Sequence, residues 1–93
     1  MVMTPLHRRG ENDSVGGDGR KPEGSPVLLD YVNMIRRTAE YYGLPVLDLY
    51  ATAGMQPAVE VIRERYMPDR LHPNDAGHEI LAERIVRFIE TTF

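Results

Sequence analysis

Asp69 and His72 stand three residues apart in Asp69-Arg70-Leu71-His72-Pro73, a spacing that lets a carboxylate reach an imidazole within one tight segment. Pro73 has a fixed φ and drives the residue before it toward extended backbone, so His72 belongs on a loop and not inside the helix that follows. A loop imidazole can point into a cleft. With Asp69 at its Nδ1, the ring is held in one tautomer and Nε2 is left as a proton acceptor. That is the Asp-His half of a hydrolytic triad. The structural alternative has Asp69 capping a turn and His72 as an ordinary residue ahead of a helix.

Acyl transfer also needs a nucleophile and oxyanion donors. The only serines are Ser14 and Ser25. Ser14 falls in a glycine-rich stretch, and Ser25 precedes Pro26 as a helix cap would. A different chemistry is open to the same segment, because Asp69, His72, Asp75 and His78 recur every three residues and mixed oxygen and nitrogen sets can hold zinc. The break at Pro73 counts against it by turning Asp75 and His78 away from His72. A third reading is non-enzymatic: a truncated, inactive scaffold that keeps the packing without the reaction.

The elements that must position the pair follow from the periodicity. Met1-Val2-Met3-Thr4-Pro5 reads as the end of a buried strand stopped by Pro5. Residues 8 to 24 hold five glycines and a single aliphatic side chain, Val15, so the spacing predicts a flexible loop over about residues 8 to 25. A helix is expected over residues 26 to 42, with Leu28, Tyr31, Val32, Ile35, Ala39 and Tyr42 on one face and Gly43 ending it. The apolar run over residues 44 to 50 suits a buried parallel strand, and Asp48 inside it calls for a structural hydrogen bond. Residues 51 to 54 read as a turn and 56 to 65 as a short helix with Pro57 in its first turn. The last helix, over residues 75 to 91 with Asn74 or Asp75 as cap, carries Ala76, Ile80, Leu81, Ile85, Phe88 and Ile89 toward the core.

At 93 residues the chain allows one domain. Its formal charge of −3 and pI near 5.5 leave no basic face for nucleic acid. The absence of cysteine excludes disulfides and thiolate metal sites. No apolar run approaches the roughly 20 residues of a membrane span, and Met1-Val2-Met3 is too short for a signal-peptide core, so a cytoplasmic location is the default expectation.

The segment from Tyr66 to His78, followed by an amphipathic helix, closely resembles the last motif block of the SGNH/GDSL hydrolases, the GDSL-like lipases and acylhydrolases. The resemblance runs over most of residues 1 to 9 and 27 to 93 and is most specific from Asp69 to Gly77. It implies the C-terminal part of a three-layer α/β/α, flavodoxin-like domain with parallel strands and its N-terminal part missing. In that family the Asp and His of an Asp-x-x-His pair serve a nucleophilic serine near the N-terminus of the domain. The resemblance therefore implies Asp69 and His72 as catalytic residues acting on a small-molecule ester, an acylated carbohydrate or a lipid, with no cofactor. The family's Thr-Pro strand end matches Thr4-Pro5, after which the loop faces the active site and puts His7 near its rim. Gly10-Glu11-Asn12-Asp13 mimics the family's oxyanion block but follows the Thr-Pro strand instead of preceding it. Arg70 is a further departure, since glycine is common there. No serine here has the Gly-Asp-Ser setting, so the partner implied is the missing N-terminal portion.

Overall fold

The computed structural model describes residues 1 to 10 and 24 to 93. Two strands, β1 (Val2–Met3) and β2 (Val46–Leu47), pair in parallel with Val2 opposite Val46 and Met3 opposite Leu47. Four helices accompany them: α1 (Leu28–Tyr42), α2 (Leu49–Thr52), α3 (Glu60–Tyr66) and α4 (Asp75–Thr92). The described residues are 55% helix and 5% strand. This is a small helical domain, and the three-layer α/β/α architecture expected from the sequence is not what forms.

The reason is that neither apolar run stays extended. β1 ends where Pro5 follows Thr4. In the second run Asp48 accepts a hydrogen bond from the Ala51 N–H at 3.2 Å and caps α2, so the chain turns helical at Leu49 where a strand was expected. Residues 51 and 52, expected in a turn, belong to that same helical turn.

Both long helices lie where the periodicity places them. The cap of α1 differs: Val27, not Ser25, is the N-cap, because the Asp30 carboxylate reaches back to accept from the Val27 N–H at 2.9 Å. Gly43 ends the helix in the left-handed region at φ 67°. The expected short helix starts late, at Glu60, with Pro57 ahead of it.

The core is small. Leu47, Leu49, Ala53, Met55 and Met67 are buried together, and Leu6, Tyr66, Ile80, Leu81, Ile85 and Phe88 pack against them. The α4 stripe thus does what its spacing implies except at its margins, where Ala76 and Ile89 stay exposed. On α1 only Val32 and Ala39 are buried, and Tyr42 is 69% exposed. Among the described residues no helix is long and apolar enough to cross a membrane. The loop expected over residues 8 to 25, with Ser14 and most of the Gly10-to-Asp13 block, lies largely outside the described residues.

Candidate active site

The Asp69 turn hangs between two helices. Helix α3 ends at Met67, which is fully buried and whose N–H donates to the Arg63 carbonyl. Arg70 N–H closes the next turn onto the Met67 carbonyl at 2.9 Å. On the far side, Asn74 donates from its backbone to the Tyr66 carbonyl and from its side-chain amide to the Arg65 carbonyl, both at 2.8 Å. Its Oδ1 accepts from the Gly77 N–H at 3.0 Å and caps α4. One asparagine therefore satisfies the end of one helix and the start of the next. Gly77 is what lets the helices approach so closely: a Cβ there would lie 2.8 Å from the Pro73 Cβ and 3.0 Å from the Tyr66 carbonyl oxygen. The packing that justifies a glycine inside α4 is thus the packing that holds the loop.

Within this frame Asp69 uses both oxygens. Oδ1 accepts from the N–H groups of Leu71 at 2.9 Å and His72 at 2.6 Å, and Oδ2 lies 2.7 Å from His72 Nδ1. A carboxylate only accepts at neutral pH, so Nδ1 carries the proton and the lone pair of the neutral ring sits on Nε2. That nitrogen has no partner among the described residues, and the His72 side chain is 74% exposed. The turn reaches this geometry through Arg70 at φ 68°, a left-handed backbone where glycine is usual.

The electrostatics follow from the same contacts. The His72 N–H, then the His72 ring and the Leu71 N–H, hold the Asp69 carboxyl down at about 2 against an ordinary 3.8. Asp69 is ionised at neutral pH. It can fix the imidazole orientation and stabilise an imidazolium, which is the orienter's task beside a general base.

Beside the pair opens a cleft of about 410 Å³ lined by Pro5, Leu6, His7, Arg8, Leu28, Tyr31 and Leu71. Arg9 N–H donates to the Arg70 carbonyl at 3.2 Å and ties the segment after β1 to the Asp69 turn. His7 borders this cleft, its Nδ1 3.0 Å from the Gln56 amide nitrogen and its ring stacked on Tyr50 at 3.6 Å between centroids.

Other candidates are not brought together. Asp75 opens α4, and His78 turns its Nδ1 back to the Asn74 carbonyl at 3.0 Å. Among the described residues no three histidine or acidic side chains converge as a metal ion requires, so Asp69, His72, Asp75 and His78 do not form a zinc set. Ser25 precedes α1, and no serine hydroxyl bonds to His72 among the described residues.

Asp48 has the structural role its place in an apolar run implies. It accepts from the Thr4 hydroxyl at 2.8 Å and from Arg36 Nε at 2.9 Å. Partial burial works to raise its pKa, but the Thr4 hydroxyl, the Ala51 N–H and Arg36 outweigh it and hold it below the ordinary value. Neither Arg36 as the partner nor Tyr50 as the platform under His7 could be read from spacing or composition. A buried Thr4 whose hydroxyl also accepts from the Tyr50 N–H at 3.0 Å joins the strand end to α2.

No family model matches the chain, and no curated protein matches it. One crystal structure is similar at a TM-score of 0.76, with 33% identity over 97% of this chain and 42% of its own. A crystal structure of a protein from Lactobacillus plantarum, a structural-genomics target, gives 0.79 with 30% identity over 98% of this chain and 43% of its own. The chain spans about two fifths of the length of the solved structures it resembles.

Proposed function

We propose that Asp69 and His72 are the orienter and the general base of a serine ester-hydrolase site of the SGNH/GDSL kind, acting on a small-molecule ester such as an acylated carbohydrate or lipid. The observation that carries this reading is the 2.7 Å contact between Asp69 Oδ2 and His72 Nδ1, with Nε2 turned outward. In the reaction a serine hydroxyl supplied by a further polypeptide portion gives its proton to His72 Nε2 as its oxygen attacks the acyl carbon. His72 passes that proton to the departing alcohol, and a water molecule then releases the acid by the same route. Asp69 stays ionised and stabilises the imidazolium. The cleft beside Leu71 is where the acyl or alcohol group would rest.

The test places residues 1 to 93 in the Lactobacillus plantarum protein in exchange for the stretch they match, and follows p-nitrophenyl acetate hydrolysis. Turnover that falls about 10⁴-fold in Asp69→Asn, with His72→Ala at least as severe, is the expected result. A folded chimera with no turnover, or with turnover indifferent to both changes, overturns the proposal.

One observation favours a second reading, a scaffold that has lost the reaction: His72 has no serine partner among the described residues. The same assay separates the two.

A further inference from the structure

The Asp69-His72 pair is fixed within its own loop, but neither member holds it to the rest of the domain. Among the described residues both hydrogen bonds of His72 go to Asp69, and the His72 side chain is mostly exposed. The Asp69 carboxylate in turn bonds only Leu71 and His72. The pair therefore travels as one body with residues 67 to 73. Where His72 Nε2 stands beside the cleft depends on what fixes that loop at its base.

Asn74 fixes the base, and Pro73 alone separates it from His72. Its backbone N–H donates to the Tyr66 carbonyl and its Nδ2–H to the Arg65 carbonyl, both at 2.8 Å. These are carbonyls of the last turn of α3, which the helix itself leaves without partners. Its Oδ1 accepts from the Gly77 N–H at 3.0 Å. The partners settle the orientation of the amide, since only oxygen can accept from an N–H and only the NH₂ group can donate to a carbonyl. The capping half of this arrangement is not special to asparagine, because aspartate or serine would accept from Gly77 as well. Among good caps, only asparagine sets an acceptor and an amide donor at the two corners of one planar group. What its identity adds at this position is the bond to Arg65.

We propose that Asn74 is a positioning residue for the hydrolytic reaction, its donation to the Arg65 carbonyl setting where the Asp69-His72 pair stands beside the cleft. The inference rests on the hydrolase reading for the reaction that the pair serves. With aspartate at residue 74 the cap survives, and the positive end of α4 favours it. An oxygen then replaces Nδ2 and faces the Arg65 carbonyl oxygen, so two acceptors meet and the loop swings away from α3. The pair keeps its internal bonds and shifts as a unit. A displacement of about 1 Å at a reacting group is enough to slow a reaction on the order of 10²-fold.

The experiment has two arms. In the chimera that carries residues 1 to 93 in the Lactobacillus plantarum protein, Asn74→Asp should lower kcat for p-nitrophenyl acetate at least about tenfold and leave KM within about twofold. Asn74→Ser, which also keeps a cap, should do the same. Gly43→Ala, which strains the left-handed end of α1 and touches neither loop nor cleft, should lower the melting temperature and leave kcat unchanged. The second arm needs no turnover and uses the 93-residue chain in nuclear magnetic resonance. The Asn74 side-chain amide should exchange with solvent at least about tenfold more slowly than that of the exposed Asn33. In Asn74→Asp the Arg9 amide, whose bond to the Arg70 carbonyl joins the loop to the segment after β1, should exchange at least about tenfold faster, while the His72 ring keeps its proton on Nδ1. An unchanged kcat in a folded Asn74→Asp chimera, an equal fall in Gly43→Ala, Arg9 exchange unmoved by the substitution, or a His72 ring that changes tautomer would each overturn the proposal. If Asn74→Asp does not fold, Asn74→Ser and the exchange of the Asn74 amide in the unaltered chain decide it. A wild-type chimera without turnover removes the hydrolase reading and leaves the exchange arm to judge whether Asn74 places the loop; an active one whose Asn74 variants keep kcat removes only this inference.

Discussion

Asp69 binds His72 twice, through the backbone N–H at 2.6 Å and through the ring Nδ1 at 2.7 Å, so the contact that fixes the turn also fixes the imidazole. These bonds are stronger with the carboxylate ionised, and they hold its pKa at about 2 against 3.8. A depressed acid contributes stability that is complete above its unfolded value and lost as the pH falls through the folded one. Wild type should therefore lose more stability than Asp69→Asn between about pH 4 and pH 2, and behave alike in slope above that. Urea midpoints at pH 2, 3, 4 and 5 check this, and parallel curves would show that the bonds contribute nothing.

Arg70 occupies φ 68°, where the Cβ of an L-residue costs roughly 1 kcal/mol. Among the described residues its side chain makes no hydrogen bond or ion pair that would offset the strain, so Arg70→Gly should stabilise the chain by up to about 1 kcal/mol, less the entropy glycine regains when unfolded. Arg70→Val should lower the melting temperature. Thermal melts of the three proteins decide it, and a glycine variant less stable than wild type would remove the argument from strain.

The Asp69-His72 contact was legible because three residues and one proline determine it: the spacing sets the reach and Pro73 sets the backbone. Helices α1 and α4 were legible from their apolar spacing, and Gly43 and Asn74 from the preferences of helix ends. What failed to show was competition between nearby groups. Asp30 displaces Ser25 from the start of α1, and Asp48 pulls the chain into α2 just where an apolar run promised more strand. Those two local outcomes, with Pro5 at the end of β1, explain why a layered α/β fold was expected and a helical domain is found. Periodicity also names a face without naming its cover, which is why Tyr31 is 45% and Tyr42 69% exposed on the stripe that buries Val32 and Ala39.

Gly77→Ala reverses the usual helix rule. Alanine inside a helix is ordinarily better than glycine by about 1 kcal/mol. Here the new Cβ meets Pro73 at 2.8 Å and a backbone oxygen at 3.0 Å, and neither can give way without moving the loop. We expect a net loss of about 1–3 kcal/mol, the range of an overpacked core. Denaturant unfolding gives the number, and nuclear magnetic resonance shifts of Leu71 to Asn74 should move with it. A stabilised variant with unshifted loop resonances would mean that α3 and α4 pack more loosely than 2.8 Å implies.

The isolated 93 residues should not hydrolyse esters appreciably, although Asp69 and His72 are correctly joined. A triad stripped of its nucleophile keeps only the rate that oxyanion donors and substrate binding supply. His72 Nε2 faces outward with no serine bonded to it among the described residues, so a water molecule at that nitrogen would lack the preorganised donors that stabilise an acyl-transfer transition state. The check is p-nitrophenyl acetate hydrolysis by the purified chain against buffer, with His72→Ala and Ser14→Ala beside it. Rates equal to the His72→Ala control are expected. Turnover lost in both variants would make Ser14 the nucleophile and would place the whole reaction within this one chain.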